Sequence, residues 1–235
     1  RKYPPIETAH QRFLSDVSKM TTGMFAEPFD TEDGFRIWLD QEEVDILLAR
    51  ADGQQEQIAV ALGVRSGLRA SEIVSITAGD VVDTSAGPRV RVRDSKGKPY
   101  RETPTTERIR STAETYEELK GPDHELVDMS KRTVQRRLDR VTEELAAEDD
   151  DMWTHVTCHD LRRTWATSLA GSDVDPLLVC DWGGWSDLET FLEHYRGTYS
   201  PDAQRRELSK VSWLSDGGAM REAADHEPDS WILET

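Results

Sequence analysis

Cysteine is scarce in this sequence, which contains only Cys158 and Cys180. Two cysteines at this spacing form neither a zinc-binding motif nor the disulfide framework of a small secreted domain. A run of about 18 apolar residues, the length that spans a bilayer, is absent as well, and so is a secretory signal peptide. The sequence therefore predicts a cytoplasmic protein in a reducing environment, with no membrane partner.

Lysine is also rare, because only 7 of the 29 basic residues are lysine, and the formal net charge is −17. This balance taken alone disfavours nucleic acid as a partner. An acidic, lysine-poor surface is, however, also expected of a protein that works in concentrated salt. At 1 M salt the Debye length is roughly 3 Å, so the negative charge of the rest of the protein would be screened and a local arginine cluster could bind phosphate. Composition leaves both interpretations open.

Motifs of nucleotide- and zinc-dependent chemistry are missing. No Gly-rich loop of the GxxxxGK[ST] type is present, so nucleotide hydrolysis lacks support. His155 and His159 have the spacing of two helical zinc ligands, but Val156 replaces the glutamate of the zinc-protease motif. We therefore predict no cofactor and no metal. Asp and Glu are so numerous that no pair of carboxylates can be singled out as a candidate metal site. Carboxylate content alone therefore leaves metal-dependent nuclease chemistry open.

Helical periodicity dominates the chain. The predicted helices begin near residues 40, 54, 71, 106, 131, 159, 176 and 186. Residues 89–93, RVRVR, alternate apolar and charged side chains as a strand does, and DSKGKP provides a turn to a return strand. The predicted fold class is mainly α with a small antiparallel β-sheet (α+β).

Three segments are predicted along the chain. Residues 1–37 are broken by proline and glycine and are interpreted as a tether or the end of a further domain. Residues 38–214 form the main domain, and residues 215–235 form an acidic, Gly-rich tail that we expect to be mobile. The chain begins with Arg1 rather than Met, and we expect a processed product or a fragment of a longer protein.

Basic residues recur at structurally special points. Arg69, in GLRASEI, follows a glycine turn and precedes a helix, while Lys96 and Lys98 occupy the hairpin tip. His159 and Arg162 lie on one helix face. Such a set suits phosphoryl transfer without a metal, because arginine binds non-bridging oxygens and lysine or histidine supplies protons. The alternative is that Arg69 and Arg162 form buried ion pairs with the many carboxylates.

The order GLRASEI, KGKPYRETP, HDLRRTWAT and GGWSDLETFLEHY resembles the tyrosine recombinase (phage integrase) family over roughly residues 38–214. The HDLRR box, with a tyrosine 33 residues after Arg162, is its most specific part. The resemblance implies that residues 38–214 are a catalytic domain that cuts and rejoins DNA through a tyrosyl phosphodiester. The acidic, lysine-poor composition resembles that of integrases from salt-loving archaea.

The resemblance also implies roles for individual residues. Arg69 corresponds to the first arginine of the family, and His159 and Arg162 to its HxxR pair. Lys96 corresponds to the hairpin lysine, because KGKPYR matches the family pattern K-G-x-x-x-R. Lys98 is the alternative.

Two further positions depart from the usual pattern. Trp185 stands where most members have a second histidine; some members use tryptophan there and donate a hydrogen bond through the indole N–H. Tyr195 lies ten residues after Trp185, one more than expected, and Tyr199 follows. Tyr195 shares a helix face with apolar residues and could be a core residue, yet we favour it as the nucleophile because Tyr199 lies in a predicted loop. The predicted catalytic set is Arg69, Lys96, His159, Arg162, Trp185 and Tyr195.

The resemblance leads us to expect a site-specific DNA recombinase or integrase that acts through a 3′-phosphotyrosine on double-stranded DNA, at the nucleoid. We expect a homo-oligomer on DNA, a synaptic tetramer, that is monomeric or weakly associated without it. Two alternatives stay open. One is a type IB-like topoisomerase, which nicks and religates a single duplex, and the other is a DNA-binding regulator that has lost catalysis.

Overall fold

The computed structural model of this chain describes residues 24–29, 34–93, 100–172, 174–189, 191 and 208–211. The α-helices are α1 Gln41–Arg50, α2 Gly53–Ser66, α3 Ala70–Ile73, α4 Glu107–Lys120, α5 Lys131–Glu148, α6 Cys158–Gly171 and α7 Pro176–Gly183. Short 3-10 segments cover Ala78–Asp80 and Asp151–His155. Among the described residues, no helix is long and apolar enough to cross a membrane.

The strands form two small antiparallel sheets. In the first, β1 Phe25–Pro28 pairs with β2 Phe35–Trp38. In the second, β3 Val81–Thr84, β4 Gly87–Val92 and β5 Arg101–Pro104 lie in the order β3-β4-β5. The predicted fold class, mainly helical with a small antiparallel sheet, is confirmed.

Local sequence signals define most helix starts. The predicted capping box is present, since Asp40 Oδ1 accepts from the Glu43 N–H at 2.8 Å and Glu43 Oε2 accepts from the Asp40 N–H at 2.7 Å. Ser130 caps α5, and Asp175 caps α7, whose first residue is Pro176. Of the helix predicted from residue 186, the structure describes residues 186–189 and 191, of which 188, 189 and 191 are helical.

The predicted hairpin is confirmed by β4 and β5, in which Val92 pairs with Arg101. Val90 and Val92 face the core, as their alternation with arginine predicts. Strand β3 was not predicted from the sequence, and it adds a third strand beside β4. The sheet thereby holds Arg101 at its β5 edge, facing the helices.

Helices α2 and α6 pack closely against each other. A Cβ added to Gly63 would lie only 3.1 Å from Leu161 Cδ1, so this approach depends on glycine. One turn further along α6, the Trp165 ring covers Gly67, the left-handed residue that ends α2. This packing sets the first turns of α6 beside the segment from Gly67 to Arg69.

The β1–β2 hairpin packs onto α6. The Ile37 N–H donates to Asp160 Oδ1 and the Leu39 N–H donates to Thr164 Oγ1, both at 3.0 Å. Ile37 is buried in the main hydrophobic core. The predicted boundary after residue 37 therefore falls inside a strand that packs with the helical domain. Residues 1–23 and the predicted tail 215–235 lie outside the described residues.

Both cysteines are buried free thiols. Burial raises the pKa of Cys158 to about 11. The Cys158 thiol is therefore protonated at neutral pH and acts as a small apolar side chain of the core.

Candidate active site

The structure describes four of the six predicted catalytic residues, namely Arg69, His159, Arg162 and Trp185. Lys96 and its alternative Lys98 fall in residues 94–99, and Tyr195 and its alternative Tyr199 fall in residues 192–207, which lie outside the described residues. Arg69 is the N-cap of α3, and Arg162 lies in the second turn of α6. Trp185 follows Gly184, whose left-handed backbone ends α7.

Three of these side chains meet at the end of α7. Arg162 Nη2 donates to the Gly183 carbonyl at 2.6 Å, and Arg69 Nη2 donates to the Gly184 carbonyl at 3.5 Å. The Arg162 guanidinium carbon lies 4.1 Å from the centre of the Trp185 ring. These three residues, which are 23 to 116 positions apart in sequence, thus form one cluster, as the motif order predicts.

Arg162 is almost fully buried, with 2% of its surface exposed. Besides Gly183, its guanidinium binds the Gly67 carbonyl, to which Nη1 donates at 2.5 Å. Carbonyl oxygens satisfy guanidinium hydrogens without cancelling the positive charge. Because the charge is removed from water, its interaction with an anion at this position is stronger than it would be on the surface.

Arg69 forms an ion pair with Glu72, as one of the two sequence interpretations predicts. Arg69 Nη1 donates to Glu72 Oε1 at 2.9 Å, and the Arg69 N–H donates to Oε2 at 2.8 Å. The same carboxylate accepts a bidentate pair of hydrogen bonds from Arg101, at 3.0 and 2.8 Å. Glu72 therefore bridges two arginines.

The protonation state of Glu72 follows from these partners. Burial alone would raise its pKa, but the hydrogen bonds and charge of Arg101, helped by Arg69, outweigh burial and hold the pKa of Glu72 at about 2. The carboxyl is therefore ionised at neutral pH. Two guanidinium groups, those of Arg69 and Arg101, share this one carboxylate, so these three residues carry a formal charge of +1. The site is cationic although the chain is acidic.

Glu72 and Arg101 were not among the predicted site residues. Both lie inside the motifs that identified the site, because Glu72 is the acidic residue of GLRASEI and Arg101 is the arginine of KGKPYR. Arg101 also donates from Nε to the Trp182 carbonyl at 2.9 Å, which joins the sheet edge to α7. The sequence signal was present, but the partnership between the two motifs is visible only in the fold.

His159 is exposed in the first turn of α6, one helical turn from Arg162. The N-terminus of the helix is held by Thr157 and Asp160, since the Asp160 carboxylate accepts from the Thr157 N–H at 2.9 Å. His155 packs edge-on against the Phe35 ring at 4.8 Å. Among the described residues, no group of three or more His, Cys, Asp or Glu is arranged to hold a metal ion.

Helix α5 adds exposed basic residues near α6. Lys131, Arg132 and Arg136 are exposed on its N-terminal half. Two neighbours are engaged internally, because Arg137 and Arg140 each lie 2.9 Å from a carboxylate oxygen of the buried Glu56. The basic residues of α5 therefore form two groups. Arg137 and Arg140 pair with the buried Glu56, and the other three form an exposed basic face.

Residues 37–200 match the phage integrase family. Among solved structures, XerA recombinase is 20% identical with a TM-score of 0.59, over 74% of this chain and 64% of that chain. The Tn1549 transposon integrase, in complex with transposon right end DNA, is 19% identical with a TM-score of 0.57, over 84% and 70%. The catalytic domain of bacteriophage HP1 integrase is 20% identical with a TM-score of 0.51, over 76% and 96%.

At sequence identities of 19–20%, these structural similarities establish that the chains share a fold. The chain spans 64% of the XerA recombinase chain, slightly less than two thirds. Among curated protein sequences none matches it significantly. The family match covers well over half of the chain and includes all six predicted catalytic positions. The chain therefore belongs to the phage integrase family, the tyrosine recombinases.

Proposed function

We propose that this chain is the catalytic part of a site-specific DNA recombinase or integrase, which cleaves and rejoins DNA strands through a 3′-phosphotyrosine. The observation that carries the proposal is the convergence of Arg69 and Arg162 on the end of α7. A cationic site in a chain of formal net charge −17 suits a phosphodiester, which is a compact anion.

The proposed cleavage step assigns one task to each side chain. The Tyr195 hydroxyl, with an ordinary pKa near 10, loses its proton and attacks phosphorus. The bond from phosphorus to the 5′ oxygen breaks, and Lys96 donates a proton to that oxygen. Arg69 and Arg162 stabilise the negative charge on the non-bridging oxygens, and His159 acts as an acid or base.

Rejoining reverses these steps. The 5′ hydroxyl of a partner strand attacks the phosphotyrosine, and the tyrosine leaves with a proton. The energy of the phosphodiester bond is kept in the intermediate, so the proposal requires neither ATP nor a metal. Trp185 is proposed to donate a hydrogen bond to the phosphate through its indole N–H.

Double-stranded DNA is the proposed partner. The exposed basic face of α5, Lys131, Arg132 and Arg136, supports contacts with phosphates that flank the reacting one. Exchange between two sites requires several active sites at once, which is the basis for proposing a homo-oligomer on DNA, a synaptic tetramer. We place this reaction in the cytoplasm, at the nucleoid.

The acidic, lysine-poor composition supports a further part of the proposal. The protein works in concentrated salt, as integrases of salt-loving archaea would. At molar salt the repulsion between DNA and the acidic surface is screened at distances greater than about 3 Å. The short-range contacts of the buried and half-buried arginines persist under those conditions.

Trapping the covalent intermediate tests the proposal. A nicked duplex releases the short strand after cleavage, so the phosphotyrosine cannot be resealed and accumulates. Because the target sequence is unknown, the substrate is a pool of nicked duplexes of randomised sequence. A protein–DNA adduct on a denaturing gel is the expected result. DNA binding without an adduct would point to a regulator, and religation of one duplex without exchange between two would point to a topoisomerase.

A further inference from the structure

The two arginines that share the Glu72 carboxylate differ in their access to solvent. The Arg101 side chain is 7% exposed, whereas the Arg69 side chain is 27% exposed. All three nitrogens of the Arg101 guanidinium donate inside the protein. Nη1 and Nη2 bind the two Glu72 oxygens at 3.0 and 2.8 Å, and Nε binds the Trp182 carbonyl at 2.9 Å. Arg101 is therefore engaged within the protein and is not directed at a substrate.

Arg69, in contrast, keeps much of its hydrogen-bonding capacity. Its side chain makes one short hydrogen bond, from Nη1 to Glu72 at 2.9 Å, and one long hydrogen bond, from Nη2 to the Gly184 carbonyl at 3.5 Å. These bonds use two of the five N–H groups that a guanidinium carries. Because Arg69 is also partly exposed, it can bind an anion that approaches from solvent.

The charge that Arg69 presents to such an anion depends on Arg101. Arg69 and Glu72 alone would form a neutral pair, in which the carboxylate competes with the anion for the guanidinium. Arg101 binds both oxygens of the same carboxylate and brings the charge of the three groups to +1. Because Glu72 and Arg101 are buried, one unit of charge has a larger effect here than it would have on the surface.

We propose that Arg101 is a positioning residue that balances the charge of Glu72 and thereby keeps the charge of Arg69 available to the scissile phosphate. This role rests on the proposed function, in which Arg69 binds that phosphate. Packing holds Arg101 in place for it. The Arg101 stem lies against Gly184, where an added Cβ would be 2.9 Å from Arg101 Cδ, and the bond from Nε to the Trp182 carbonyl ties the side chain to α7.

Two substitutions separate the charge of Arg101 from its hydrogen-bonding fork. Arg101→Gln removes the charge, whereas Arg101→Lys keeps a charge but has no planar fork. The assay is the single-turnover rate of adduct formation at saturating nicked DNA, with thermal unfolding measured in parallel. We expect a loss of about 30-fold in Arg101→Gln, less than the roughly 10²–10³-fold cost of removing a whole transition-state donor, and of about threefold in Arg101→Lys. Equal losses in the two variants would overturn the proposal, because both lack the fork.

Removing both charges of the buried pair is the second test. In Glu72→Gln/Arg101→Gln, no carboxylate offsets Arg69, so the local charge returns to +1. We expect the rate to recover to within about fivefold of the wild type, although the ion pair is gone. The double variant also leaves no unpaired charge in the interior, so it is expected to fold even where Arg101→Gln does not. A double variant as slow as Arg101→Gln, or slower, would overturn the proposal.

A neutral substrate provides a measurement that a purely structural role would not change. Replacing one non-bridging oxygen of the scissile phosphate by a methyl group gives an uncharged methylphosphonate, to which the charge of Arg69 is less strongly attracted. Relative to the wild type, Arg101→Gln should slow cleavage of this substrate by less than about threefold. Equal slowing of the charged and neutral substrates would assign Arg101 to packing alone.

Arg91→Gln is the matched control, since it removes one charge from the neighbouring strand, where Arg91 pairs with Glu102 on the surface. Its rate at saturating DNA should stay within about twofold of the wild type. A wild-type chain that forms no adduct would overturn the proposed function, and the role of Arg101 with it. A wild-type chain that forms the adduct, together with an Arg101→Gln variant that is equally fast, would overturn the role of Arg101 alone.

Discussion

Replacing Glu72 with glutamine should destabilise the domain and remove a defined part of its sensitivity to acid. Glu72 is 6% exposed and accepts hydrogen bonds from both Arg69 and Arg101. Glutamine keeps the shape of the side chain but removes the charge that both guanidinium groups face. Arg101 is buried as well, so its charge would be left in the interior without a counter-charge among these partners.

The expected magnitude follows from two independent routes. The difference between the ordinary pKa of 4.5 and the folded value of about 2 corresponds to about 3 kcal/mol. Breaking a buried ion pair by removing one partner typically costs about 3–5 kcal/mol. Since the folded pKa lies below the unfolded one, the stabilisation is fully present above about pH 4.5 and is lost as the pH falls toward about 2.

Urea unfolding in high salt measures the effect. At about pH 7 the free energy of unfolding of Glu72→Gln should be lower than that of the wild type by about 3–5 kcal/mol. At about pH 3 this difference should narrow by about 2 kcal/mol. Other carboxylates titrate in both proteins and cancel in the comparison.

Glu102→Gln is the matched control, because Glu102 lies beside Arg101 on β5 and pairs with Arg91 at 3.2 Å on the surface. Its effect should lie within the error of the measurement, as for most exposed ion pairs. Equal losses for Glu72→Gln and Glu102→Gln, or a Glu72→Gln difference that does not change with pH, would refute the reasoning.

Three further predictions concern the reaction and its conditions. Tyr195→Phe should abolish the covalent adduct while DNA binding persists, and Tyr199→Phe should leave the adduct intact; the reverse result on the same denaturing gel would move the nucleophile to Tyr199. Lys96→Ala should slow cleavage of an ordinary substrate far more than one whose bridging 5′ oxygen is replaced by sulfur, because a thiolate leaves without a proton. Equal slowing of both substrates would exclude Lys96 as the acid, and Lys98→Ala tests the alternative. The fold should weaken as potassium chloride is lowered from about 3 M to about 0.1 M, since the carboxylates then repel one another unscreened. DNA binding, followed in parallel with circular dichroism, should fall with salt by much less than about 0.9 log unit per phosphate contact per decade. The proposal that the protein works in concentrated salt would be contradicted if the protein is fully folded at low salt and loses DNA binding well below about 1 M salt.

Much of the local structure could be predicted from the sequence alone. The capping box at Asp40 and the alternation of residues 89–93 predicted elements that the structure contains. The HxxR spacing predicted that His159 and Arg162 lie one turn apart on a helix, and they do. These features depend on interactions within about four residues of the chain, so the order of residues is enough to specify them.

Lys96 and Tyr195 stay predictions of the sequence, since both lie outside the described residues. Their assignment depends on motif spacing, which identifies a residue type at a position and says nothing of its distance to phosphorus. The nucleophile and the acid are therefore proposals, which the variants of Tyr195, Tyr199, Lys96 and Lys98 test.

The partners that hold the arginines depend on tertiary packing. Glu72 meets Arg101 across 29 residues, and Arg162 binds the carbonyl of Gly67 across 95 residues. The bond between the Ile37 N–H and Asp160 joins residues 123 apart. Partners at such separations are chosen by how helices and sheet edges pack, and by the need to satisfy every buried charge and backbone group once water is excluded. A backbone carbonyl is present at every residue, so no motif marks which two will hold Arg162; packing of α2, α6 and α7 selects Gly67 and Gly183.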